Sequence, residues 1–183
     1  MSKINPKMVY LERISTKHID LGWLDWVNTS KNIRVLNKPP YRYNKNQLKD
    51  YLKKTRLKGD IMFAVREKKT NEYIGNIKIN DIDFFHKHCG YGRLIGYKKN
   101  RGTGYGQIML YKICEYAFDK LKMKKIFSPC YSDNLTSLYS NLKFGMRISG
   151  KFKNHFKKNN KFKDVYYLEI TSEEFKKIKK KYK

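Results

Sequence analysis

The glycine-rich run 101–106 (RGTGYG) constrains the fold of this chain more than any other segment. A predicted strand, Tyr91–Tyr97, precedes it, and a long helical pattern of apolar residues follows it through Leu121. Glycines let the backbone turn sharply and approach a ligand closely. The N–H groups that open the helix, together with the positive end of its dipole, form a site for an anion. The run therefore predicts a strand–loop–helix unit whose loop holds a diphosphate.

The sequence of this run does not match the patterns of the common nucleotide-binding loops. A P-loop would continue with Gly-Lys and a hydroxyl residue, and no such sequence follows here. A dinucleotide-binding fingerprint would place its third glycine elsewhere and would end the next strand on an acidic residue. Arg101 can add a charge-assisted contact to a phosphate oxygen. The run indicates a diphosphate bound mainly through the main chain, and an ordinary glycine-rich turn is the alternative for the run taken alone.

Turn residues and hydrophobic periodicity divide the rest of the chain into short strands and amphipathic helices. Helices are predicted from Thr16, from Asn44, after the glycine-rich run and from Asn134, and Asp81–Gly90 is predicted to be a loop. This order predicts an α/β (α+β) fold, a mixed and mostly antiparallel sheet of about seven strands flanked by about four helices. The predicted strands are Met8–Ile14, Ile61–Glu67, Tyr73–Asn80, Tyr91–Tyr97, Lys124–Cys130, Met146–Phe152 and Asp164–Ile170.

The length of 183 residues fits one domain. We expect that domain to span residues 1–171 and a short, basic, helical tail to span residues 172–183. No apolar run approaches the roughly 20 residues of a membrane-spanning helix, so we expect no membrane span and a cytoplasmic location. Cys89, Cys114 and Cys130 lie far apart without zinc-ligand spacing, so we expect reduced thiols, no disulfide framework and no metal.

The chain is strongly basic, with 42 Lys and Arg residues against 16 Asp and Glu residues and a formal net charge of +26. A field of this sign attracts polyanions, which include coenzyme A, nucleotide-linked sugars and nucleic acid. The lysines are scattered along the chain, so simple solvation of the surface is an equally good interpretation of the charge alone. A non-catalytic nucleic-acid-binding module is one hypothesis. It is weakened by that scatter and by the lack of a sequence signature of the common nucleic-acid-binding folds.

Five stretches between about Ile74 and Phe175 follow a known pattern in order and spacing: YIGNIKI, RLIGYKKNRGTGYG, YKICEYAFDKLKMKKI, NLTSLYSNLKFGM and FKNHFKKNNKFKDVYYLEITSEEF. They resemble the GNAT acetyltransferase superfamily, and more narrowly its RimJ/RimL-like branch. The resemblance implies the GNAT fold and an N-acetyltransferase that uses acetyl-CoA as co-substrate. It is weakest in the N-terminal part of the chain, where GNAT proteins vary and build the acceptor pocket.

The resemblance implies three sets of cofactor contacts. The glycine-rich run would hold the diphosphate through main-chain N–H groups, and the end of the preceding strand would pair with the pantetheine amides. The helix after strand five would also contact the cofactor, and the thioester would lie where strands four and five part. The residues so implied are Arg101, Gly102, Thr103, Gly104, Tyr105 and Gly106 in the run, Ile95, Gly96 and Tyr97 in the strand, and Asn134, Ser137 and Asn141 in the helix.

Asn141 departs from the family pattern. Many members have a tyrosine there that protonates the departing thiolate, and asparagine cannot act as an acid at neutral pH. Tyr139 is the nearest candidate for a catalytic acid, although it lies two residues earlier and roughly on the opposite side of the helix. Water or another tyrosine is an alternative donor, and a thiolate can also leave without a proton.

The general base is also not the usual one. Many members have a glutamate near the start of strand four, where this chain has the sequence GYGR at residues 90–93. His88 and His86, just upstream, are the candidate catalytic bases, because imidazole is the side chain that titrates nearest neutral pH. The alternative for both is binding of the acceptor or stabilisation of the loop.

The sequence IDFFHKHCGY, at residues 82–91, is similar to a loop of N-acetyltransferases that act on nucleotide-linked 4-amino sugars in pseudaminic acid synthesis for flagellar glycans. The similarity implies an anionic sugar nucleotide as acceptor, with Phe84, Phe85 and Tyr91 packed on its rings. The alternatives are an acetyltransferase of protein N-termini, such as those of ribosomal proteins, and a polyamine or drug acetyltransferase. A polyamine would call for acidic pocket walls, for which 16 acidic residues leave few candidates. We expect a monomer or homodimer, and contact with nucleic acid or the ribosome is a less favoured alternative.

Overall fold

The computed structural model describes residues 5–29, 42–97, 100, 102–158 and 160–181. Within these residues, no helix is both long and apolar enough to cross a lipid bilayer. A π-helical segment, Ile19–Trp23, runs into the first helix, and another, Tyr116–Lys120, extends the third. The helices are α1 Leu24–Val27, α2 Lys45–Leu57, α3 Tyr105–Glu115, α4 Leu135–Phe144 and α5 Ser172–Lys180. The strands are β1 Val9–Arg13, β2 Ile61–Glu67, β3 Tyr73–Asp83, β4 His88–Ile95, β5 Lys125–Tyr131, β6 Arg147–Lys158 and β7 Lys161–Thr171.

The seven strands form one sheet in the order β1-β2-β3-β4-β5-β7-β6. Every neighbouring pair is antiparallel except β4 and β5, which are parallel, so the predicted mixed sheet is confirmed. Among the described residues, β4 and β5 pair only at His88↔Lys125, Cys89↔Ile126 and Gly90↔Phe127. Beyond Gly90 the two strands part and leave a cleft in the middle of the sheet.

Helices cover both faces of the sheet and bury apolar side chains on each. The larger core includes Met109 of α3 and lies between the sheet and the helices α3, α4 and α5. The smaller core includes Trp26 of α1 and lies under α1 and α2. Side chains of β2 alternate between the two cores, since Phe63 belongs to the larger core and the next residue, Ala64, to the smaller one.

Local capping explains where two of the helices begin and end. Asn44 Oδ1 accepts from Gln47 N at 2.9 Å and Gln47 Oε1 accepts from Asn44 N at 2.9 Å, which forms a capping box at the start of α2. Asn134 is the N-cap of α4, and Gly145, with a φ of 115°, is its C-cap. The predicted helix starts at Asn44 and Asn134 are thus confirmed.

The C-terminal helix belongs to the core, and this corrects the expectation of a separate tail from residue 172. Thr171 and Glu174 form a capping box that starts α5, so the prediction of helix is confirmed. Phe175 is 1% exposed. Its ring lies 5.2 Å from the ring of Tyr111 and 5.5 Å from that of Phe118. A boundary after Thr171 would separate this helix from the core that it helps to form.

The predicted loop Asp81–Gly90 is mostly strand. A bulge between Asn80 and Asp83 lets the β3–β4 ladder continue to the pair Asp83↔His88, so that only residues 84–87 form the turn. Asp81 adopts a φ of 50° in this bulge. A register shift of this kind is invisible in an alternation pattern, because it moves the side chains to the opposite face.

Candidate active site

The cleft begins where β4 loses β5 as its neighbour. Ser128 Oγ donates to the Tyr91 carbonyl at 3.1 Å and so links the two strands just beyond their last backbone pair. Pro129 follows in β5 and has no N–H to donate, which agrees with the parting of the strands. A hydroxyl side chain thus replaces the ladder at the closed end of the cleft.

One edge of β4 is free along this cleft. Gly96 donates its N–H to the Ile74 carbonyl on β3 at 2.8 Å. Main-chain groups alternate between the two edges of a strand, so those of Arg93 and Ile95 point toward the cleft. Ile95 therefore remains a candidate partner of the pantetheine amides, and Arg93 joins it. The expectation for Gly96 is corrected, because its N–H is already bonded to β3.

Gly96 and Tyr97 serve the packing of the first helix. A Cβ atom at Gly96 would lie 2.4 Å from Cε2 of Trp26, so only glycine fits beneath that ring. The Tyr97 ring lies edge-on to Trp26 at 5.3 Å, and the Tyr97 carbonyl accepts from Asn100 N at 3.1 Å. Of the two main-chain groups of Tyr97 that were expected to face the cofactor, the carbonyl is therefore already bonded.

The glycine-rich run has the backbone shape that its composition predicts. Gly102 and Gly104 have φ angles of 78° and 94°, a region that other residues rarely adopt. A Cβ atom at either position would meet nothing within 4 Å, so the space around the run is open. The N–H groups of Tyr105 and Gly106 open α3, where no carbonyl of the same helix precedes them. Arg101 lies outside the described residues, so its phosphate contact stays a prediction.

Two side chains of the run hold it in place and do not face a ligand. Thr103 Oγ1 donates to the Asn100 carbonyl at 2.8 Å. The Tyr105 hydroxyl donates to Glu67 Oε1 on β2 at 2.7 Å. Burial and this bond raise the pKa of Tyr105 to about 12, so the phenol stays neutral. What Thr103 and Tyr105 can offer a cofactor is therefore their main chain.

Arg93 is a charged group beside the cleft that sequence reasoning did not select. Its guanidinium donates to the Gly106 carbonyl of α3 at 2.5 Å, to Ser140 Oγ of α4 at 3.0 Å and to Asn141 Oδ1 at 2.8 Å. The Tyr91 hydroxyl donates to the same Asn141 Oδ1 at 2.7 Å. The one signal in the sequence was an arginine inside the predicted strand Tyr91–Tyr97.

Tyr91 does not face an acceptor, and this corrects its expected role. Its side chain is 5% exposed and points toward α4. Burial raises the pKa of Tyr91 to about 12, so its hydroxyl remains a neutral hydrogen-bond donor. Phe84 and Phe85, by contrast, are 58% and 86% exposed in the turn of the hairpin and stay candidates for acceptor contact.

The predicted residues of α4 have different positions along the helix. Asn134 Oδ1 accepts from Ser137 N at 3.3 Å, so the carboxamide oxygen caps the helix. Tyr139 is 65% exposed. Asn141 is buried beside Tyr91 and Arg93. The structure thus places Tyr139 on the solvent side of α4, away from Asn141, and this argues against its candidacy as the catalytic acid.

The tip of the β3–β4 hairpin brings the two candidate bases together. Asp83 Oδ1 accepts from His86 N at 2.7 Å, and Asp83 Oδ2 lies 2.8 Å from His86 Nδ1. These contacts with His86 lower the pKa of Asp83 to about 2. Ligand atoms of Asp83, His86 and His88 lie within 4.8 Å of one another, a set that could hold a divalent metal ion. The hydrogen bonds of the turn account for Asp83 and His86 without an ion.

His88 and not His86 shares a face with the open part of β4. Side chains alternate along a strand, so His88, Gly90 and Gly92 point to the face opposite Tyr91 and Arg93. A Cβ atom at Gly92 would meet nothing within 4 Å, and the His88 ring lies 5.8 Å from that of Phe127. The backbone is therefore open on this face at Gly92, whereas a Cβ atom at Gly90 would lie 2.9 Å from Nδ2 of Asn80, whose side chain covers that position. His88 lies at the paired end of this segment.

A parallel strand pair that parts beside a glycine-rich helix start is typical of a class of enzymes that bind a diphosphate-containing co-substrate in the middle of a mixed sheet. A model of the acetyltransferase (GNAT) domain matches residues 9–147. The chain belongs to the GNAT family of N-acetyltransferases, whose acetyl donor is acetyl-CoA. The uncharacterized N-acetyltransferase YnaD of Bacillus subtilis (strain 168) is 33% identical over 75 residues. That match spans 41% of this chain and 44% of the relative.

Solved structures of spermidine N-acetyltransferase from Vibrio cholerae have the same fold. The complex with CoA and spermine has a TM-score of 0.80 at 19% identity and covers 92% of this chain and 98% of that chain. A dodecameric structure in an intermediate state has a TM-score of 0.73 at 18% identity and covers 92% of this chain and 96% of that chain. At these identities the similarity confirms the GNAT fold alone. The RimJ/RimL-like branch stays a prediction.

Proposed function

We propose that this protein transfers an acetyl group from acetyl-CoA to the primary amine of a small acceptor that carries negative charge, such as a nucleotide-linked 4-amino sugar. The observation that carries the proposal is the cleft itself. Its free β4 edge runs from the glycine-rich start of α3 to the point where β4 and β5 part. A linear co-substrate with a diphosphate at one end and a thioester at the other fits this arrangement.

The residues of the cleft position the donor. The N–H groups at the start of α3, at Tyr105 and Gly106, face the diphosphate, which the helix dipole also favours. The free main-chain groups of Arg93 and Ile95 pair with the amides of the pantetheine arm. This pairing leads the thioester to the gap beyond Gly90. These residues orient the thioester carbonyl and restrict rotation of the donor. Such positioning supplies much of the catalysis in a direct displacement.

The acceptor approaches from the opposite face. The β4 segment with Gly90 and Gly92 carries no side chain there. The space at Gly92 is open, although Asn80 covers Gly90, so an amine can reach a thioester lying in the gap beside Gly92. The amine nitrogen forms the new N–C bond, the C–S bond breaks, and the nitrogen loses a proton. His88, at the end of this bare segment, is our candidate to accept that proton, directly or through a water molecule. Phe84 and Phe85 are the exposed rings nearest to it in sequence.

The charges near the hairpin favour an anionic acceptor over a polycation. Asp83 is bonded to His86 at 2.8 Å. Glu169, on β7, is paired with Arg147 at 2.5 Å and with Lys125 at 3.5 Å. Carboxylates already engaged by basic groups are poor partners for additional ammonium groups. The net charge of +26 adds a field that attracts an anionic substrate.

A polyamine is the second candidate acceptor. The observation that favours it is the similarity of fold to spermidine N-acetyltransferases over 92% of this chain. The sites of those proteins carry over to this chain only as a hypothesis, because the identity is 19%.

A screen of acceptors separates these proposals. The protein is incubated with acetyl-CoA and, in parallel, a UDP-linked 4-amino sugar, spermidine, and an N-terminal peptide of a ribosomal protein, and each product is weighed by mass spectrometry. We expect acetylation of the sugar nucleotide at the highest kcat/KM. Preferred acetylation of spermidine or of the peptide would replace the proposed acceptor. Failure to acetylate any amine, by a protein that is folded, would contradict the proposed activity.

A further inference from the structure

We infer that Arg93 is a catalytic residue whose guanidinium binds the sulfur of coenzyme A as the thiolate forms. The inference rests on acetyl-CoA as the donor and is independent of the acceptor. It concerns the step in which the carbon–sulfur bond breaks, for which sequence reasoning found no acid.

The position of Arg93 places it on the path of the donor. Tyr91, Arg93 and Ile95 share one face of β4, the face toward α3 and α4. The guanidinium bridges these two helices, with one nitrogen 2.5 Å from the Gly106 carbonyl and another 2.8 Å from Asn141 Oδ1. A ligand that follows the free edge of β4 from the start of α3 to the parting of the strands passes this group.

The charge of Arg93 has no counterion in the described structure. Its three acceptors, a carbonyl, a hydroxyl and a carboxamide oxygen, are all neutral. Among the residues that the structure describes, no carboxylate forms an ion pair with it. Desolvating a charge is costly unless it is paired, so an unpaired guanidinium in a cleft indicates an anion that visits the site.

The donor has two regions that can carry negative charge, the diphosphate and the sulfur. The geometry favours the sulfur as the partner of Arg93. The Gly106 carbonyl points along α3 away from its N-terminus, so the guanidinium that contacts it lies one turn below the N–H groups that face the diphosphate. Arg93 also shares Asn141 Oδ1 with the hydroxyl of Tyr91, which stands at the parting of the strands. The guanidinium therefore lies toward the thioester end of the cleft.

The chemistry balances without a proton donor. The lone pair of the amine forms the N–C bond, and the C–S bonding pair leaves on sulfur. The guanidinium pairs with the resulting thiolate, and the proton lost from nitrogen goes to a base or to water. A cation that stabilises developing charge in the transition state can replace an acid at this position. This explains how the chain functions with Asn141 where many relatives have a tyrosine, since the carboxamide oxygen orients Arg93.

The test compares coenzyme A with desulfo-coenzyme A, which lacks the sulfur, by calorimetry on the wild-type protein from about pH 6 to about pH 9, a range that spans the ordinary thiol pKa of about 8.5. We expect coenzyme A to bind at least about tenfold more tightly than the analogue at the upper end, and the ultraviolet absorption of a thiolate to appear on binding at a lower pH than in free coenzyme A. Equal affinity for both ligands across this range would overturn the inference. Binding of neither ligand would overturn the donor assignment and the inference together.

Variants then assign the effect to the guanidinium. Arg93→Met keeps an unbranched apolar stem and removes the charge, and Arg93→Lys keeps a charge. We expect Arg93→Met to lose most of the preference for coenzyme A over its desulfo analogue and to reduce kcat by about 10- to 100-fold with KM for acetyl-CoA nearly unchanged. Arg93→Lys should recover part of the preference. An unchanged preference in a folded Arg93→Met protein would overturn the assignment, and the wild-type comparison decides the inference if that variant fails to fold.

Discussion

Gly104 combines a backbone requirement with an open space. Its φ of 94° is costly for any other residue, and a Cβ atom there would meet nothing within 4 Å. We predict that Gly104→Ala lowers the free energy of unfolding by about 1–2 kcal/mol. We also predict at least tenfold weaker binding of coenzyme A, because the added methyl group occupies the space beside the first N–H groups of α3. Calorimetry with coenzyme A and urea unfolding measure the two effects.

Gly59 provides the matched control. It has a φ of 74°, a Cβ atom there would also meet nothing within 4 Å, and it follows α2, away from the cleft. Gly59→Ala should therefore have a similar cost in stability and leave coenzyme A binding unchanged. Equal binding by the two variants would remove the glycine-rich run from the donor site.

His88 is the candidate base with a position on the acceptor face. We predict that His88→Ala reduces kcat by about 100- to 1,000-fold and leaves KM for acetyl-CoA nearly unchanged, as expected for loss of a proton acceptor. The control is His155→Ala, since His155 lies on β6 and packs against Phe152 at a ring distance of 5.0 Å. Assays with a chelating agent exclude an effect of bound metal. A kcat for His88→Ala within a few-fold of wild type would end this assignment.

The sequence predicted residues whose function depends on local chain properties, and it missed those that depend on register. The positive φ of Gly102 and Gly104 and the capping pair of Asn44 follow from short-range rules. The inward direction of Tyr91 and the contacts of Arg93 depend on which face of β4 meets α4. That choice is made by strand pairing far along the chain, which periodicity does not reveal.

At the scale of elements, α5 shows how a charged sequence can conceal a core helix. Phe175 is buried among the rings of Tyr111, Phe118 and Phe144, although many of its neighbours in sequence are lysines. Phe175 and Ile178 lie one turn apart on the face that meets the core, so the amphipathic pattern is present in the sequence. The many lysines around them fit a solvated tail equally well. The helix docks because burial of one large aromatic side chain removes a large apolar surface area from water.

Truncation of Phe175 tests this docking. We predict that Phe175→Ala lowers the free energy of unfolding by about 3–5 kcal/mol, because a large aromatic side chain leaves a cavity in the core. Lys176→Ala, at the neighbouring exposed position, should change it by less than about 0.5 kcal/mol. Urea unfolding compares the two. Similar stabilities would mean that α5 contributes little to the folded domain.

The ends of the strands also depend partly on local sequence and partly on pairing with a distant strand. β2 has the predicted bounds Ile61–Glu67, because turn residues on both sides define it. β3 and β6 run longer than predicted, to Asp83 and Lys158, because pairing with a neighbouring strand extends them through polar sequence. Alternation identified each strand, and pairing determined its length.

At the scale of the whole molecule, the fold follows from one interruption in an otherwise antiparallel sheet. The parallel contact between β4 and β5 is short, and the parting beyond it produces the cleft. The number of strands and their mixed character could be predicted from the order of elements. The strand order and the side on which the cleft opens could not, since they depend on contacts distant in sequence. The net charge of +26 favours an anionic co-substrate.

Binding of acetyl-CoA to the wild-type protein, measured by titration calorimetry, tests the account most directly. We predict saturable binding of one acetyl-CoA per chain, and displacement by coenzyme A. We also predict only a modest loss of affinity with added salt, because fixed main-chain N–H groups and not scattered lysines hold the ligand. The account would be contradicted by a folded protein that gives no saturable binding, or whose binding is abolished by moderate salt.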